Sequence, residues 1–208
     1  MIETKFDIKN IGTIEFDIKT QFHTLKHFIS IDNKYKNLLI SESLYTEEEI
    51  LNQFNEVGSK FSEKFAKNPF ELIIKLIQHI ENKNIHFNWT NNRCEIKCEF
   101  NNPDYPDGIG FDCLLAKNEL SEIEKSQITQ IERSSALVYI LNKKPHKTLK
   151  FNIILNQTKT NIKIISIFPG IYAPVLPNIE IQNKIQYSES SLFWKNYVFL
   201  FDEFKNRD

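Results

Sequence analysis

The sequence predicts an α+β protein in which an antiparallel sheet packs against two or three helices. Two patterns support this class. Apolar and polar residues alternate in several short segments, as they do in half-buried strands. In other segments the apolar residues recur every three or four positions, as in helices that bury one face. The chain has 208 residues, of which 41% are hydrophobic, and this is enough to form a buried core.

Residues 1–45 are predicted to be strands. The alternation is clearest over residues 6–8 and 14–18, with turn-forming residues between them. We expect residues 1–45 to be either an N-terminal β appendage or the first strands of a single domain. The α+β domain itself is expected over residues 46–208.

Two helices are predicted next. Thr46 can cap a helix start, and Glu49 completes a capping box with it. Apolar residues then continue at helical spacing as far as Phe65. Asn68 and Pro69 end this helix and begin another, because proline is well suited to the first helical position.

Strands and turns dominate the remainder of the chain. A hairpin is predicted with arms at residues 85–89 and 94–100, and a loop rich in Asn, Pro and Asp follows it. The later predicted elements are a strand at 109–115, a helix from 121 to about 133, strands at 137–141, 149–155 and 162–168, and a helix at 192–204.

Charge and cysteine content limit the function classes. The formal net charge is −1, so an RNA partner would need a local basic patch instead of a positive field over the whole chain. An odd count of three cysteines argues against a disulfide-stapled secreted domain. The charged N-terminus and the absence of a long apolar run predict a cytoplasmic protein without a membrane span.

The cysteines suggest no metal site. Cys94 and Cys98 could bind zinc with His86, but structural zinc normally has four convergent ligands. Both cysteines fall on the apolar face of a predicted strand, so we favour core packing and expect no metal ligands. No glycine-rich nucleotide loop is present either, and we expect no cofactor.

The histidines and one basic turn offer possible chemistry. His86 is predicted on the polar face of the hairpin, where it could transfer a proton or be an ordinary surface residue. His79 is expected on a helix surface or boundary. Lys144, His146 and Lys147 form a basic turn that could hold a phosphate or be a solvated loop.

Residues 108–177 carry an ordered series of segments. In chain order these are GIGFDCLL at 108–115, a predicted helix ending at 133, KPHKT at 144–148, FNIIL at 151–155, IISIFPG at 164–170 and APVLP at 173–177. The series resembles phage- and toxin-associated domains of the barnase/EndoU/colicin/RelE ribonuclease superfamily. It covers about a third of the chain.

The resemblance implies a metal-independent endoribonuclease, acting as a toxin or in phage defence, with RNA as its partner. The residues that it places in a catalytic role are Arg133, Lys147, His86 and Ser166. Those that it places in substrate binding are His146, Thr148, Lys144 and Lys150. His86 and His146 compete for the role of catalytic histidine.

A protein-binding role is the alternative. The predicted last helix has more aromatic residues than one helix face can bury, and the surplus could bind a cognate immunity protein, antitoxin or other partner. The aromatic residues concerned are Phe193, Trp194, Tyr197, Phe199, Phe201 and Phe204. Burial of this helix on most sides would explain the same composition.

Overall fold

The structure is a computed structural model of the chain. It describes residues 2–9, 11–43, 45–55, 58–112, 129–133, 136–140, 145–159, 161–174 and 184–197, together with 114, 116, 118 and 121. The helices in these residues are α1 (Ile18–Thr24), α2 (Asn33–Ser43), α3 (Glu47–Asn55), α4 (Pro69–Asn82) and α5 (Lys184–Tyr197), with a short 3₁₀ turn at Leu25–His27. The strands are β1 (Lys5–Ile8), β2 (Gly12–Glu15), β3 (Lys60–Phe61), β4 (Trp89–Thr90), β5 (Arg93–Glu99), β6 (Gly110–Asp112), β7 (Thr129–Arg133), β8 (Ala136–Ile140), β9 (His146–Thr148), β10 (Lys150–Gln157) and β11 (Ile162–Pro169).

The predicted α+β class is confirmed. The chain divides into two compact units. The first unit comprises residues 1–111 and 147–170, and the second comprises residues 112–146 and 171–208. Among the described residues, no helix is both long and apolar enough to cross a membrane.

A six-stranded sheet forms the centre of the first unit. Its strand order is β1-β2-β11-β10-β5-β4. The two strands that come last in the chain, β10 and β11, therefore lie between β2 and β5. All neighbours are antiparallel except β2 and β11, which pair in parallel at Ile14 with Ile162 and at Glu15 with Lys163. A smaller sheet has the order β3-β6-β9.

Helix α4 supplies the main apolar cover of this sheet. Asn68 caps the helix by accepting a 2.8 Å hydrogen bond from the Glu71 N–H, as the sequence predicts. The buried face of α4 packs in one core cluster with the inward-facing residues of β5, β10 and β11. Representative members of this cluster are Leu72, Leu76, Ile96, Ile153 and Ile167.

The strand prediction for residues 18–43 is wrong, because this segment is mostly helical. Asp17 begins α1 by accepting a 2.7 Å hydrogen bond from the Thr20 N–H. Asp32 likewise accepts a 2.8 Å hydrogen bond from the Tyr35 N–H at the start of α2. These two side-chain caps are the sequence signal for both helices, and they outweigh the short alternation that favoured strands.

The predicted helix from Thr46 to Phe65 is also shorter than expected. Its capping box forms as predicted, because the Glu49 carboxylate accepts the Thr46 N–H at 2.7 Å. Helix α3 nevertheless ends at Asn55. Phe61 is fully buried in β3, where it pairs with Gly110 of β6, so its burial follows from strand pairing and not from a helix face.

Gly108 and Gly110 allow close strand packing in the smaller sheet. Gly108 has a φ of +92°, and a Cβ there would lie 2.6 Å from the Thr148 carbonyl oxygen. A Cβ on Gly110 would lie against the Lys60 carbonyl and 3.0 Å from the Phe61 Cα. The GIG sequence therefore has a structural explanation in the approach of neighbouring backbones.

Alanine substitutions at four glycines of the first unit should lower its unfolding free energy by different amounts. Gly58→Ala meets no atom within 4 Å at an ordinary φ, and Gly12→Ala meets none but has a φ of +95°. We expect almost no loss of unfolding free energy for Gly58→Ala and about 1–2 kcal/mol for Gly12→Ala. Gly110→Ala should cost about 1–3 kcal/mol from overpacking, and Gly108→Ala about 3 kcal/mol or more. Denaturant unfolding measures the series, and equal losses at Gly12 and Gly108 would contradict the proposed backbone clash.

The second unit contains the strand pair β7 and β8. They pair antiparallel, with Thr129 opposite Ile140 and Arg133 opposite Ala136. The helix predicted to end near Arg133 is thus corrected to a strand at its C-terminal end. Residues 129–133 form a ladder with a partner strand, and this tertiary pairing outweighs the local helical pattern.

Helix α5 belongs to the second unit and begins earlier than predicted. Trp194 is buried, and its indole N–H donates a 3.2 Å hydrogen bond to the Pro174 carbonyl. Phe193 and Tyr197 stack with ring centroids 5.0 Å apart. Phe199, Phe201 and Phe204 lie outside the described residues, so the partner surface stays a prediction.

Candidate functional site

A groove in the first unit is the best candidate for a functional site. It has a volume of about 520 Å³ and lies at the end of the main sheet where the chain turns between strands. His86 lines it with Lys9, Glu81, Trp89 and Gln157, and Phe87, Asn84 and five isoleucines complete the wall. We call this cavity the hairpin-end groove. Its volume falls within the usual range for small-ligand sites.

The end of α4 determines where His86 lies. Asn84 adopts a left-handed conformation with a φ of 49°, and its N–H donates to the Glu81 carbonyl at 3.1 Å. The Ile85 N–H donates to the Ile80 carbonyl at 3.2 Å. These two bonds form a Schellman motif, which ends the helix and directs the following residues away from its axis.

His86 is exposed, as predicted, but it does not lie in a strand. The predicted hairpin arm at 85–89 is reduced to β4, because only Trp89 and Thr90 pair with β5. His86 therefore lies in the short segment between the Schellman motif and β4. That segment leaves the sheet edge and forms one wall of the hairpin-end groove.

Two hydrogen bonds connect the rim of the groove. The Glu81 carboxylate accepts a 2.7 Å bond from the Lys9 N–H in the β1–β2 turn. The Gln157 N–H at the end of β10 donates a 2.7 Å bond to the Asn92 carbonyl. The three turns around the groove are thus attached to α4 or to one another, which makes the site preformed.

Strand β10 separates Lys150 from the groove. Lys150 is the first residue of this strand, and Gln157, its last residue, borders the groove. Seven residue steps at about 3.3 Å each separate them by roughly 23 Å. The structure therefore does not bring His86 together with Lys150.

Lys147 and Thr148 already have partners. The Lys147 ammonium donates a 2.6 Å hydrogen bond to the Asp107 carboxylate, and this ion pair holds the pKa of Asp107 below its ordinary value. Thr148 is buried, and its hydroxyl accepts the Lys150 N–H at 3.0 Å. Thr148 thus contributes to the turn between β9 and β10, and its predicted role in substrate binding stays a prediction.

Ser166 lies in the middle of the main sheet. It is opposite Ile154 of β10, which in turn is opposite Glu95 of β5. These three residues are on the face away from α4. Lys150 is four residues from Ile154, about 13 Å along the strand, so Ser166 and Lys150 are separated as well.

Three other predicted site residues can be placed only in part. His146 is exposed at the start of β9, and Lys144 lies outside the described residues. Arg133 ends β7 in the second unit, and its side chain is outside the described part of the structure. Their predicted roles stay predictions.

His79 is buried, whereas the sequence predicts a residue on the helix surface or at its boundary. Its Nε2–H donates a 2.9 Å hydrogen bond to the Glu99 carbonyl, since a carbonyl oxygen can only accept. Its ring stacks on Phe100 with centroids 4.4 Å apart. Burial lowers the pKa of His79, against the opposing effect of the Glu99 bond. It is a buried, hydrogen-bonded histidine with a structural role.

His27 is a second structural histidine. Its Nδ1–H donates a 3.0 Å hydrogen bond to the Ser59 carbonyl, and its ring lies 5.7 Å from that of Phe168. Burial lowers the pKa of His27 from 6.5 to about 3. The hydrogen bond to Ser59 acts in the opposite direction, and the nearby charges of Lys26, Lys60 and His23 lower the pKa further. The imidazole is therefore neutral at physiological pH.

Cys94 and Cys98 pack in the core of the first unit, as the alternation of the predicted strand indicates. Cys94 is buried in the main core cluster, and Cys98 packs against it. Burial raises the pKa of both thiols, which makes them poor nucleophiles and poor metal ligands. In the part of the chain that the structure describes, no three His, Cys, Asp or Glu residues converge as a metal site. Cys113 lies outside that part.

Comparisons with known proteins identify no relative. No family model matches the chain, and no curated protein or solved structure matches it either.

Proposed function

We propose that the chain is a ribonuclease-like domain that cleaves RNA by general acid–base chemistry in the hairpin-end groove. The observation that supports this proposal is the composition of one cavity wall. His86 and Glu81 can exchange protons, and Lys9 can neutralise phosphate charge, and all three line the same groove. This is the proton donor, proton acceptor and cation that metal-independent RNA cleavage needs.

The reaction follows from the chemistry of RNA. The substrate's 2′-oxygen attacks the adjacent phosphorus, so an O2′–P bond forms while the P–O5′ bond breaks. One of the pair His86 and Glu81 takes the proton from the 2′-hydroxyl, and the other gives a proton to the departing 5′-oxygen. Lys9 stabilises the additional negative charge of the phosphorane. The products are a 2′,3′-cyclic phosphate and a free 5′-hydroxyl.

The proposal keeps His86 in its predicted catalytic role and selects it over His146. No step of this reaction uses Arg133, Lys147 or Ser166, and their catalytic roles stay predictions from the sequence resemblance. A toxin or phage-defence role in the cytoplasm belongs to the same proposal, since cellular RNA would be the substrate there.

Cleavage of RNA without a metal ion tests the proposal. The full chain should cleave single-stranded RNA and leave DNA of the same sequence intact, because DNA lacks the attacking 2′-hydroxyl. The rate should be unchanged in EDTA. Cleavage of both polymers, or activity abolished by EDTA and restored by Mg²⁺, would contradict the mechanism.

A further inference from the structure

We infer that the hairpin-end groove takes single-stranded RNA, with one unpaired base stacked on Trp89 and the neighbouring phosphates held by Lys9, Lys5 and Lys159. The inference rests on the proposed function and specifies its substrate class. A binding site for an unpaired base differs from a duplex-binding surface in shape, in aromatic content and in the placement of its cations.

The aromatic wall supports a base-stacking site. Trp89 and Phe87 both line the groove, and both are only partly buried against the main core. Each ring therefore has one portion supported by the core and another facing the cavity. A nucleobase gains affinity by stacking on such a ring, and in a duplex the base faces are already covered by their neighbours.

The cations are placed to follow a phosphate backbone. A second cavity of about 470 Å³ adjoins the groove and shares Ile11, Gln157 and Ile162 with it. Lys5 and Lys159 line this second cavity, while Lys9 lines the groove itself. Because they share three lining residues, the two cavities form one continuous path with lysines in both parts.

These lysines are available for a ligand. Within the described part of the chain, Lys5, Lys9 and Lys159 form no ion pair. The acidic residue of the second cavity, Glu15, is 3.2 Å from Lys163 and so already has a cationic partner. Three lysines and two carboxylates, Glu15 and Glu81, line the path, so the net charge that a ligand meets there is positive, which matches a phosphate backbone.

Tryptophan fluorescence tests the stacking directly. The chain has two tryptophans, so Trp194→Phe leaves Trp89 as the only indole. An oligonucleotide with 2′-O-methyl groups cannot be cleaved, so binding is measured apart from catalysis. We expect the single strand to quench Trp89 emission in a saturable way, and its duplex to bind at least 10-fold more weakly. If Trp194→Phe does not fold, the difference spectrum between the native chain and Trp89→Phe gives the same signal.

Matched variants separate stacking from charge. Trp89→Leu should weaken single-strand binding about 5- to 150-fold. Trp89→Phe should keep most of the affinity, because phenylalanine can still stack on a base. Lys9→Ala and Lys159→Ala should each lower the slope of log affinity against log salt by about one, and Lys34→Ala, an exposed lysine of α2 away from the groove, should not.

Equal affinity for single strand and duplex, or binding without any change in Trp89 emission, would overturn the inference. RNA cleavage observed together with either result would leave the proposed function standing. Conversely, quenching by the uncleavable strand without cleavage of ordinary RNA would support the inference and refute the proposed reaction.

Discussion

Replacing His86 with alanine should lower the rate of RNA cleavage by about 10²–10⁴-fold, the usual contribution of a positioned acid–base group. His86 is exposed and lies outside the helices and strands, so its loss should leave the unfolding free energy almost unchanged. Added imidazole should restore part of the lost rate, because a small molecule can enter the space that the side chain vacates and carry the proton.

His146→Ala is the matched control for this prediction. His146 is also exposed, and the sequence alone makes it the competing catalytic histidine. If His146→Ala loses the activity while His86→Ala retains it, the basic turn and not the hairpin-end groove is the reaction site. The comparison uses initial rates on one RNA at substrate concentrations far below saturation.

Acid should destabilise the first unit well above the pH at which carboxylates titrate. The pKa of His27 falls from 6.5 to about 3 on folding, so below pH 6.5 the unfolded chain binds a proton that the folded chain excludes. Unfolding free energy is therefore highest above pH 6.5 and falls steadily as the pH drops towards 3. Between pH 6.5 and 4.5 the expected loss is about 2–3 kcal/mol.

His27→Asn tests the origin of this acid sensitivity. The asparagine amide can still donate to the Ser59 carbonyl, which accepts the Nδ1–H of His27 at 3.0 Å, but it does not titrate. The variant should lose most of the pH dependence between pH 6.5 and 4.5. His79, whose pKa is also lowered by burial, accounts for the part that remains. Parallel stability curves for the two proteins would show that His27 is not the sensitive group.

Elements with strong local signals could be predicted from the sequence. Asn68 and Pro69 fix the start of α4, and the capping box of Thr46 and Glu49 fixes that of α3. Strands β10 and β11 are two segments rich in isoleucine that are joined by a single polar turn. In each case the information lies within a few neighbouring residues.

Other features depended on distant parts of the chain. The parallel pairing of β2 with β11 joins residues about 150 positions apart, and no local pattern indicates it. Helices α1 and α2 begin at the side-chain caps Asp17 and Asp32, whereas the short alternation in residues 1–45 predicts strands. The GIG sequence looked like a family signature, whereas Gly108 and Gly110 also have a packing role against Thr148 and Lys60.

The candidate site likewise combines one residue that the sequence indicates with neighbours that it does not. His86 could be chosen from its exposure and chemistry, yet its neighbours could not. Glu81 is at the end of α4, Lys9 is in the β1–β2 turn and Trp89 is in β4, and only the assembled sheet brings them around one cavity. The sequence resemblance instead assigns His86 and Lys150 to one site. In the structure Lys150 begins β10, at the opposite end of that strand from the groove.

The most direct test of the central claim uses a DNA oligonucleotide that contains one ribonucleotide. The native chain should cut it only after that ribose and leave a 2′,3′-cyclic phosphate, and His86→Ala should leave it almost intact over the same time. No cut at the ribose, or the same rate of cutting by His86→Ala, would contradict acid–base cleavage of RNA in the hairpin-end groove.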